Sequence, residues 1–270
     1  MDTRPIGVFD SGLGGLTAVK KLAELLPGED IIYLGDTGRV PYGSRSRETI
    51  IKYAQQDAAF LAGFDIKVMV IACNTVCSVA FDALKAEYTI PLYEVVSAPA
   101  EAASGLTICN RIGVIGTAAT IRSGAYEKAL KKINPDLSVY SVACPLFVPL
   151  VEEGWTDVFD EAALAVAERY LEDLSTADID ILILGCTHYP LLSDVISKIM
   201  GPNVKLIDSG SQTAKLVAEN LENLNMLSGN ETGGSIKYFV TDSIEGFSNL
   251  ASRFLGSDVQ GNAEQILLTD

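Results

Sequence analysis

Two apolar runs in this chain each stop at a cysteine followed by small polar residues. They are Ile66-Lys67-Val68-Met69-Val70-Ile71-Ala72-Cys73-Asn74-Thr75 and Ile179-Asp180-Ile181-Leu182-Ile183-Leu184-Gly185-Cys186-Thr187-His188. A buried parallel strand delivers a side chain to its carboxyl end in this way. Two such runs therefore offer two thiols from equivalent places. A thiolate and a thiol facing each other across one carbon form a proton acceptor and a proton donor on opposite faces, the equipment for inverting a stereocentre. Each cysteine stands where a helix is expected to begin, with Asn74 or Thr75 as the cap after Cys73 and Pro190 near the first turn after Cys186. A helix amino terminus favours a thiolate and offers free N–H groups to a carboxylate. The competing reading is two inert packing cysteines, since Cys is among the most buried residue types. Their paired occurrence argues against it.

His188, the only histidine, follows Cys186 by two residues. An imidazole titrates near neutral pH and, when charged, depresses a neighbouring thiol pKa, so His188 could hold or relay the proton of a catalytic thiol. A polar cap on the following helix is the plainer alternative. A zinc site has little support: Cys186 with His188, and Cys73 with Cys77, offer ligands, but neither a CxxC pair nor a second histidine accompanies them. Cys77, four residues after Cys73, is expected to be packing. Asp10-Ser11-Gly12-Leu13-Gly14-Gly15 mimics a dinucleotide loop, and Asp36 lies near the distance of a ribose-binding acid. Thr17, however, replaces the third glycine, and Asp10 would meet the pyrophosphate. A turn whose amides meet a small anion, with Asp10 meeting an ammonium group, fits as well. Pro41-Tyr42-Gly43 reads as a binding loop, with Tyr42 as a core aromatic in the competing view. Glu152-Glu153-Gly154 reads as a solvated loop from which context could promote one glutamate.

Apolar β-branched runs alternate with amphipathic stretches along the chain: Ile6 to Phe9, a helical pattern from Leu16 to Leu26, Ile31 to Leu34, and a helical pattern from Arg47 to Leu61. The alternation continues through Ile112 to Ile115, Val139 to Ala143, Ile179 to Leu184, Val204 to Ile207 and Ile236 to Val240. This is the pattern of βα units in a parallel sheet. Ile6-Gly7-Val8-Phe9-Asp10-Ser11-Gly12 resembles Ile112-Gly113-Val114-Ile115-Gly116-Thr117-Ala118 at an offset of 106, close to the offset of 113 between the two cysteines. The expectation is an α/β fold of two pseudo-symmetric domains with mostly parallel sheets and a cleft between them. Residues 1–97 plus 207–270 would form one domain and 98–206 the other, with the crossover near Ser97 to Ser104. Asp208-Ser209-Gly210 echoes Asp10-Ser11-Gly12. The tail after Leu255 is polar and expected to be loosely packed.

The 270 residues suffice to bury a large core, and 48% of them are hydrophobic. A net charge of −15 leaves no basic footprint for nucleic acid or anionic lipid. The apolar runs are too short to span a bilayer, and the first residues lead into a strand rather than a signal peptide, so a cytoplasmic protein with no membrane partner is expected. Five cysteines point to reduced thiols rather than a disulfide framework.

Taken together, Asp10-Ser11-Gly12-Leu13-Gly14-Gly15, Pro41-Tyr42-Gly43, Ala72-Cys73-Asn74-Thr75, Gly116-Thr117 with Thr120, and Gly185-Cys186-Thr187-His188-Tyr189-Pro190-Leu191 resemble the bacterial glutamate racemases of the cofactor-independent aspartate/glutamate racemase superfamily. The resemblance covers essentially the whole chain. It implies interconversion of L- and D-glutamate for peptidoglycan synthesis, with no cofactor and no metal, in a cleft between two α/β domains. Cys73 and Cys186 match the catalytic thiols, acting on the D- and L-isomer respectively. Asp10, Glu152 and His188 match the polar groups that assist them. Ser11, Pro41, Tyr42, Gly43, Asn74, Thr75, Thr117 and Thr187, with Asp10 and His188, match the substrate-binding set. Val76-Cys77 departs from the family's usual small residues after Asn-Thr. Glutamate is the expected small-molecule partner, with a homodimer left open. The readings to be weighed against this one are an aspartate racemase, a nicotinamide oxidoreductase and a non-catalytic binding module for acidic metabolites.

Overall fold

The computed structural model describes residues 1–256, 259 and 262–268. Its elements run β1 (Ile6–Asp10), α1 (Leu16–Leu25), β2 (Ile31–Gly35), α2 (Arg47–Ala62), β3 (Val68–Ile71), α3 (Asn74–Glu87), β4 (Leu92–Glu94) and α4 (Ser97–Leu106). The chain continues through β5 (Arg111–Gly116), α5 (Ala118–Ser123), α6 (Ala125–Ile133), β6 (Ser138–Ala143), α7 (Phe147–Glu153), α8 (Glu161–Ser175), β7 (Ile181–Gly185), α9 (Ser193–Met200) and β8 (Lys205–Asp208). It ends with α10 (Ser209–Asn223), β9 (Ile236–Val240), α11 (Ile244–Leu255) and β10 (Ala263–Gln265).

Two fully parallel sheets result, in the orders β10-β9-β2-β1-β3-β4 and β6-β5-β7-β8. The duplication noted in the sequence is visible as topology. β1 lies between β2 and β3 just as β5 lies between β6 and β7, and the strand after each central strand's second neighbour, β4 or β8, closes that side. The fold is thus α/β, with one lobe built on each sheet. The chain passes from the first sheet to the second through α4 and returns through α10, which packs against both α1 and α4. The expected boundary at 206/207 falls inside β8, whose last residue, Asp208, still pairs with Leu184 of the second sheet.

Strands buried on both faces read as continuous apolar runs because helices cover both sides. In β1, Ile6 and Val8 join one core cluster with α1 and α10, while Phe9 faces α2 and α3 in the other. Each such large apolar side chain contributes on the order of 1.5–3 kcal/mol through burial. α2 buries Ile50, Ala54, Ala58 and Leu61 as one stripe, and starts at Ser46, whose Oγ accepts from the Thr49 amide at 3.3 Å.

The tail differs from expectation. Residues 263–265 form β10, an edge strand paired with β9 from Ala263↔Tyr238 to Gln265↔Val240, because a row of β9 main-chain groups was open to a partner. Residues 257, 258, 260, 261, 269 and 270 lie outside the described residues. Among the described residues, no helix is long and apolar enough to cross a membrane.

Candidate active site

β3 and β7 end at the same side of their sheets, and each hands the chain to a turn carrying a cysteine. Cys73 is itself the N-cap of α3, with φ −76° and ψ 113°, so the cap expected at Asn74 or Thr75 falls one residue earlier. Cys186 precedes a 3-10 helix at Tyr189–Leu192 with Pro190 in its first turn. Both sulfurs line one cavity of about 610 Å³ that takes walls from both lobes. Ser11, Pro41, Tyr42, Gly43, Asn74, Thr75, Thr117, Glu152, Thr187 and His188 line it too. Asp10 does not: it sits behind the wall, 1% exposed.

The two thiols have different neighbours. Cys73 Sγ donates to Ser11 Oγ at 3.3 Å, and its pKa is pushed up to about 12, first by burial and then by the nearby Asp10 charge. Asp10 is bonded through Oδ2 to the Gly12 amide at 3.0 Å, while its Oδ1 has no partner among the described residues. Burial raises the Asp10 pKa, against the His188 charge and amides of its own loop. Asp208 makes the same turn, accepting from the Gly210 amide at 3.0 Å, so the echo seen in the sequence is a shared local conformation.

Cys186 Sγ lies 4.0 Å from His188 Nδ1, and His188 Nε2 lies 3.1 Å from Glu152 Oε1. Burial works against a charge on His188, but the contacts with Cys186 and Glu152 outweigh it and raise its pKa to about 10. His188 is the N-cap of the 3-10 helix, yet its side chain makes no cap bond. The ring faces inward to the thiol instead. Glu152, read from sequence as a loop residue, occupies the last turn of α7, which Gly154 ends at φ +80°. Cys77 turns its thiol to the Ile71 carbonyl at 3.1 Å.

Neutral donors complete the cavity. Thr117 Oγ1 caps α5 by accepting from the Thr120 amide at 3.3 Å, and meets Thr75 Oγ1 of the other lobe at 2.9 Å. Asn74 is held by Ser209 Oγ at 3.1 Å and by the Tyr126 hydroxyl at 2.6 Å. Tyr42 lines the cavity and is also buried, with its hydroxyl bonded to Asp36 and, at 3.1 Å, to Asp57. Arg39 binds the same two carboxylates, with 3.0 Å to Asp57. This cluster locks the Tyr42–Ser44 turn against α2. Sequence reading missed it, although a charged Asp57 on the apolar stripe of α2 was a usable signal. It also missed the cavity positions of Arg122, Val148 and Pro149.

The dinucleotide alternative fails on the same contacts. Asp36 is fully buried, and its oxygens are bonded to Arg39, Tyr42 and Thr241, leaving none for a ribose. The space above the glycine loop is filled: a Cβ on Gly14 would stand 2.0 Å from Thr187 Oγ1. A pyrophosphate has no approach there.

Fold and site define a two-lobed α/β protein with a thiol from each lobe in a shared cavity, a histidine and carboxylates behind them. The profile of the Asp/Glu/hydantoin racemase family matches residues 6–217. A glutamate racemase of Geobacter metallireducens is 48% identical over 268 residues, 99% of this chain and 98% of its own. Among solved structures, a glutamate racemase isoform from Bacillus anthracis matches with a TM-score of 0.95 at 38% identity, over 99% of both chains. The Francisella tularensis glutamate racemase, solved with D-glutamate, matches with a TM-score of 0.92 at 42% identity, over 99% of both chains. The chain belongs to the Asp/Glu/hydantoin racemase family, among its glutamate racemases.

Proposed function

We propose that this protein interconverts L- and D-glutamate by proton exchange at Cα between two thiols. The observation that carries the reading is that Cys73 and Cys186, delivered by topologically equivalent strands of the two lobes, open into one cavity. Removing an α-proton without a cofactor requires a basic sulfur, a desolvated cleft and donors aimed at the developing carbanion. An ordinary cysteine is only about 3% thiolate at neutral pH, so activation is required.

The two thiols have different charged neighbours, and the mechanism needs them in opposite states. Cys73, with its pKa near 12, keeps its proton and suits the donor. His188, held protonated by its raised pKa, places a positive charge beside Cys186. In this state Cys186 takes the proton of L-glutamate and Cys73 protonates the opposite face. From D-glutamate the roles exchange, and the Cys73 proton must leave; Asp10, with a raised pKa and an unbonded oxygen behind the wall, is the group that assists. His188 and Glu152 perform the matching service for Cys186.

Thr75 and Thr117, which bond to each other across the lobes, can open to a substrate carboxylate. Asn74, Thr187 and Ser11, with the backbone at Pro41, Tyr42 and Gly43, provide the remaining contacts. The D-glutamate formed would serve peptidoglycan synthesis in the cytoplasm, and a homodimer is the assembly to seek by sedimentation.

The test is circular dichroism of L-glutamate with purified protein and no added cofactor. The signal should decay to zero, and in heavy water the product should carry solvent deuterium at Cα. An unchanged signal, or retention of the original hydrogen, overturns the reading. L-aspartate run in parallel should turn over far more slowly; equal turnover would reassign the substrate.

A further inference from the structure

Apart from His188, only one cation lines the cavity among the described residues: Arg122, on the last turn of α5. It is exposed, and among the described residues its guanidinium has no hydrogen bond or ion pair. The helix end does not need it, since the Gly124 amide already bonds to the Ile121 carbonyl. Arg122 is thus a free, permanent charge at the edge of a binding cavity.

Its position is set by both lobes. α5 packs against the Tyr42–Ser44 turn, close enough that a Cβ on Gly43 would lie 3.2 Å from Thr117 Cβ. The seam between the lobes therefore runs beside α5, the helix that carries Arg122. The charge balance gives that position meaning. The protein carries −15 overall, and Glu152 adds a carboxylate to the cavity wall. An anion approaching this surface is repelled at long range, while the groups waiting inside, the His188–Glu152 pair apart, are uncharged hydroxyls, thiols and amides. One cation in a low-dielectric mouth offsets the repulsion where it counts. A guanidinium stays charged at every working pH and presents a fork that matches a carboxylate.

We propose that Arg122 is the capture residue of the cleft: it pairs with a carboxylate of the incoming dicarboxylic amino acid and raises its occupancy, without acting on the reacting carbon. The proposal rests on the racemase reading and assigns to Arg122 the affinity for substrate rather than the rate of proton transfer.

The experiment compares wild type with Arg122→Gln, Arg122→Lys and Arg122→Glu. It measures kcat and KM for L-glutamate, and the Kd of D-glutamate by calorimetry, at low and high salt. At low salt, Arg122→Gln should raise KM and Kd about fivefold, the scale of one exposed ion pair. kcat should be unchanged, Arg122→Lys should recover most of the affinity, and Arg122→Glu should lose more than Arg122→Gln. The difference should close at about 1 M salt, where the screening length shrinks to about 3 Å. An unchanged KM and Kd in Arg122→Gln at low salt overturns the proposal. So does a loss that is equal at all salt concentrations, which would mean packing, or a fall in kcat, which would mean a part in the chemistry. Absence of turnover in wild type would defeat the racemase reading instead, and the calorimetric comparison would still decide whether Arg122 captures the anion.

Discussion

Gly14 of the first lobe and Thr187 of the second approach so closely that a Cβ on Gly14 would stand 2.0 Å from Thr187 Oγ1 and 2.5 Å from His188 Nδ1. Beside this contact, Thr17 Oγ1 lies 3.2 Å from the Thr187 carbonyl. The glycine loop after β1 is therefore a seat for the Cys186-Thr187-His188 turn of the opposite lobe. Its glycines answer a packing demand rather than a phosphate. Gly14→Ala should displace Thr187 and His188, lowering turnover by about 100-fold, the scale of a misplacement near 1 Å. Overpacking should cost about 1–3 kcal/mol of stability. Turnover and urea midpoint of the variant measure both, and a fully active, fully stable Gly14→Ala would show that the lobes separate at this point.

Cys73→Ser and Cys186→Ser should each reduce racemisation by about 10²–10⁴-fold, the usual scale of a lost general acid or base. Because the two enantiomers have equal free energy in water, each variant must lose the same factor in kcat/KM from either direction. The two cysteines are told apart by isotope exchange. With Cys186 intact, Cys73→Ser should still exchange the α-proton of L-glutamate with heavy water faster than it forms D-glutamate. Near-normal racemisation in either serine variant would remove that residue from its role.

His188 is the only histidine, so its ring gives one unambiguous NMR titration. Its pKa should lie near 10 rather than at the ordinary 6.5, and Glu152→Gln should bring it down by removing one of the two contacts that hold the proton. The sign for stability follows. A raised histidine pKa means that the folded state binds the proton more tightly, so the stabilisation is complete below about 6.5 and is lost as pH rises through about 10. Stability against unfolding, measured across that window, should fall in wild type and less so in Glu152→Gln. A titration near 6.5 in wild type would dissolve the link between His188, Cys186 and Glu152.

The strands were legible in the sequence because burial on both faces leaves the interiors of β1, β3, β5 and β7 apolar, with charge only at an end, Asp10 in β1 and Arg111 in β5. The thiols were legible for the same reason, each being the first polar group past such a run. Glu152 was harder, since its partner His188 is 36 residues away and the two meet only through the packing of α7 beside the turn after β7. The Arg39, Asp36, Tyr42 and Asp57 cluster depends on α2 folding back over the loop that precedes it, and no local period records that contact. β10 escaped because a three-residue edge strand has no periodicity to display. Its pairing comes from the open edge of β9. Arg122 sits on a short helix with no local pattern to mark it, and only the arrival of the opposite lobe gives it a cavity to face.

Asp10 raises the Cys73 pKa through its charge, so Asp10→Asn should lower that pKa below about 12. The substitution keeps a side-chain oxygen for the Gly12 amide and removes only the charge. Thiolate absorbance as a function of pH reads the change, with the difference between Asp10→Asn and Asp10→Asn/Cys73→Ser isolating Cys73 from the other four cysteines. If Asp10 acted only by making Cys73 a weaker acid, the variant would abstract the proton of D-glutamate more readily at neutral pH. If Asp10 instead accepts or relays the Cys73 proton, turnover from D-glutamate should fall even as the thiolate becomes more abundant. The proposed mechanism requires the second outcome, because a buried carboxyl with a raised pKa and an unbonded Oδ1 can hold a proton that an amide cannot. A variant with more thiolate and undiminished turnover would confine Asp10 to shaping the turn after β1.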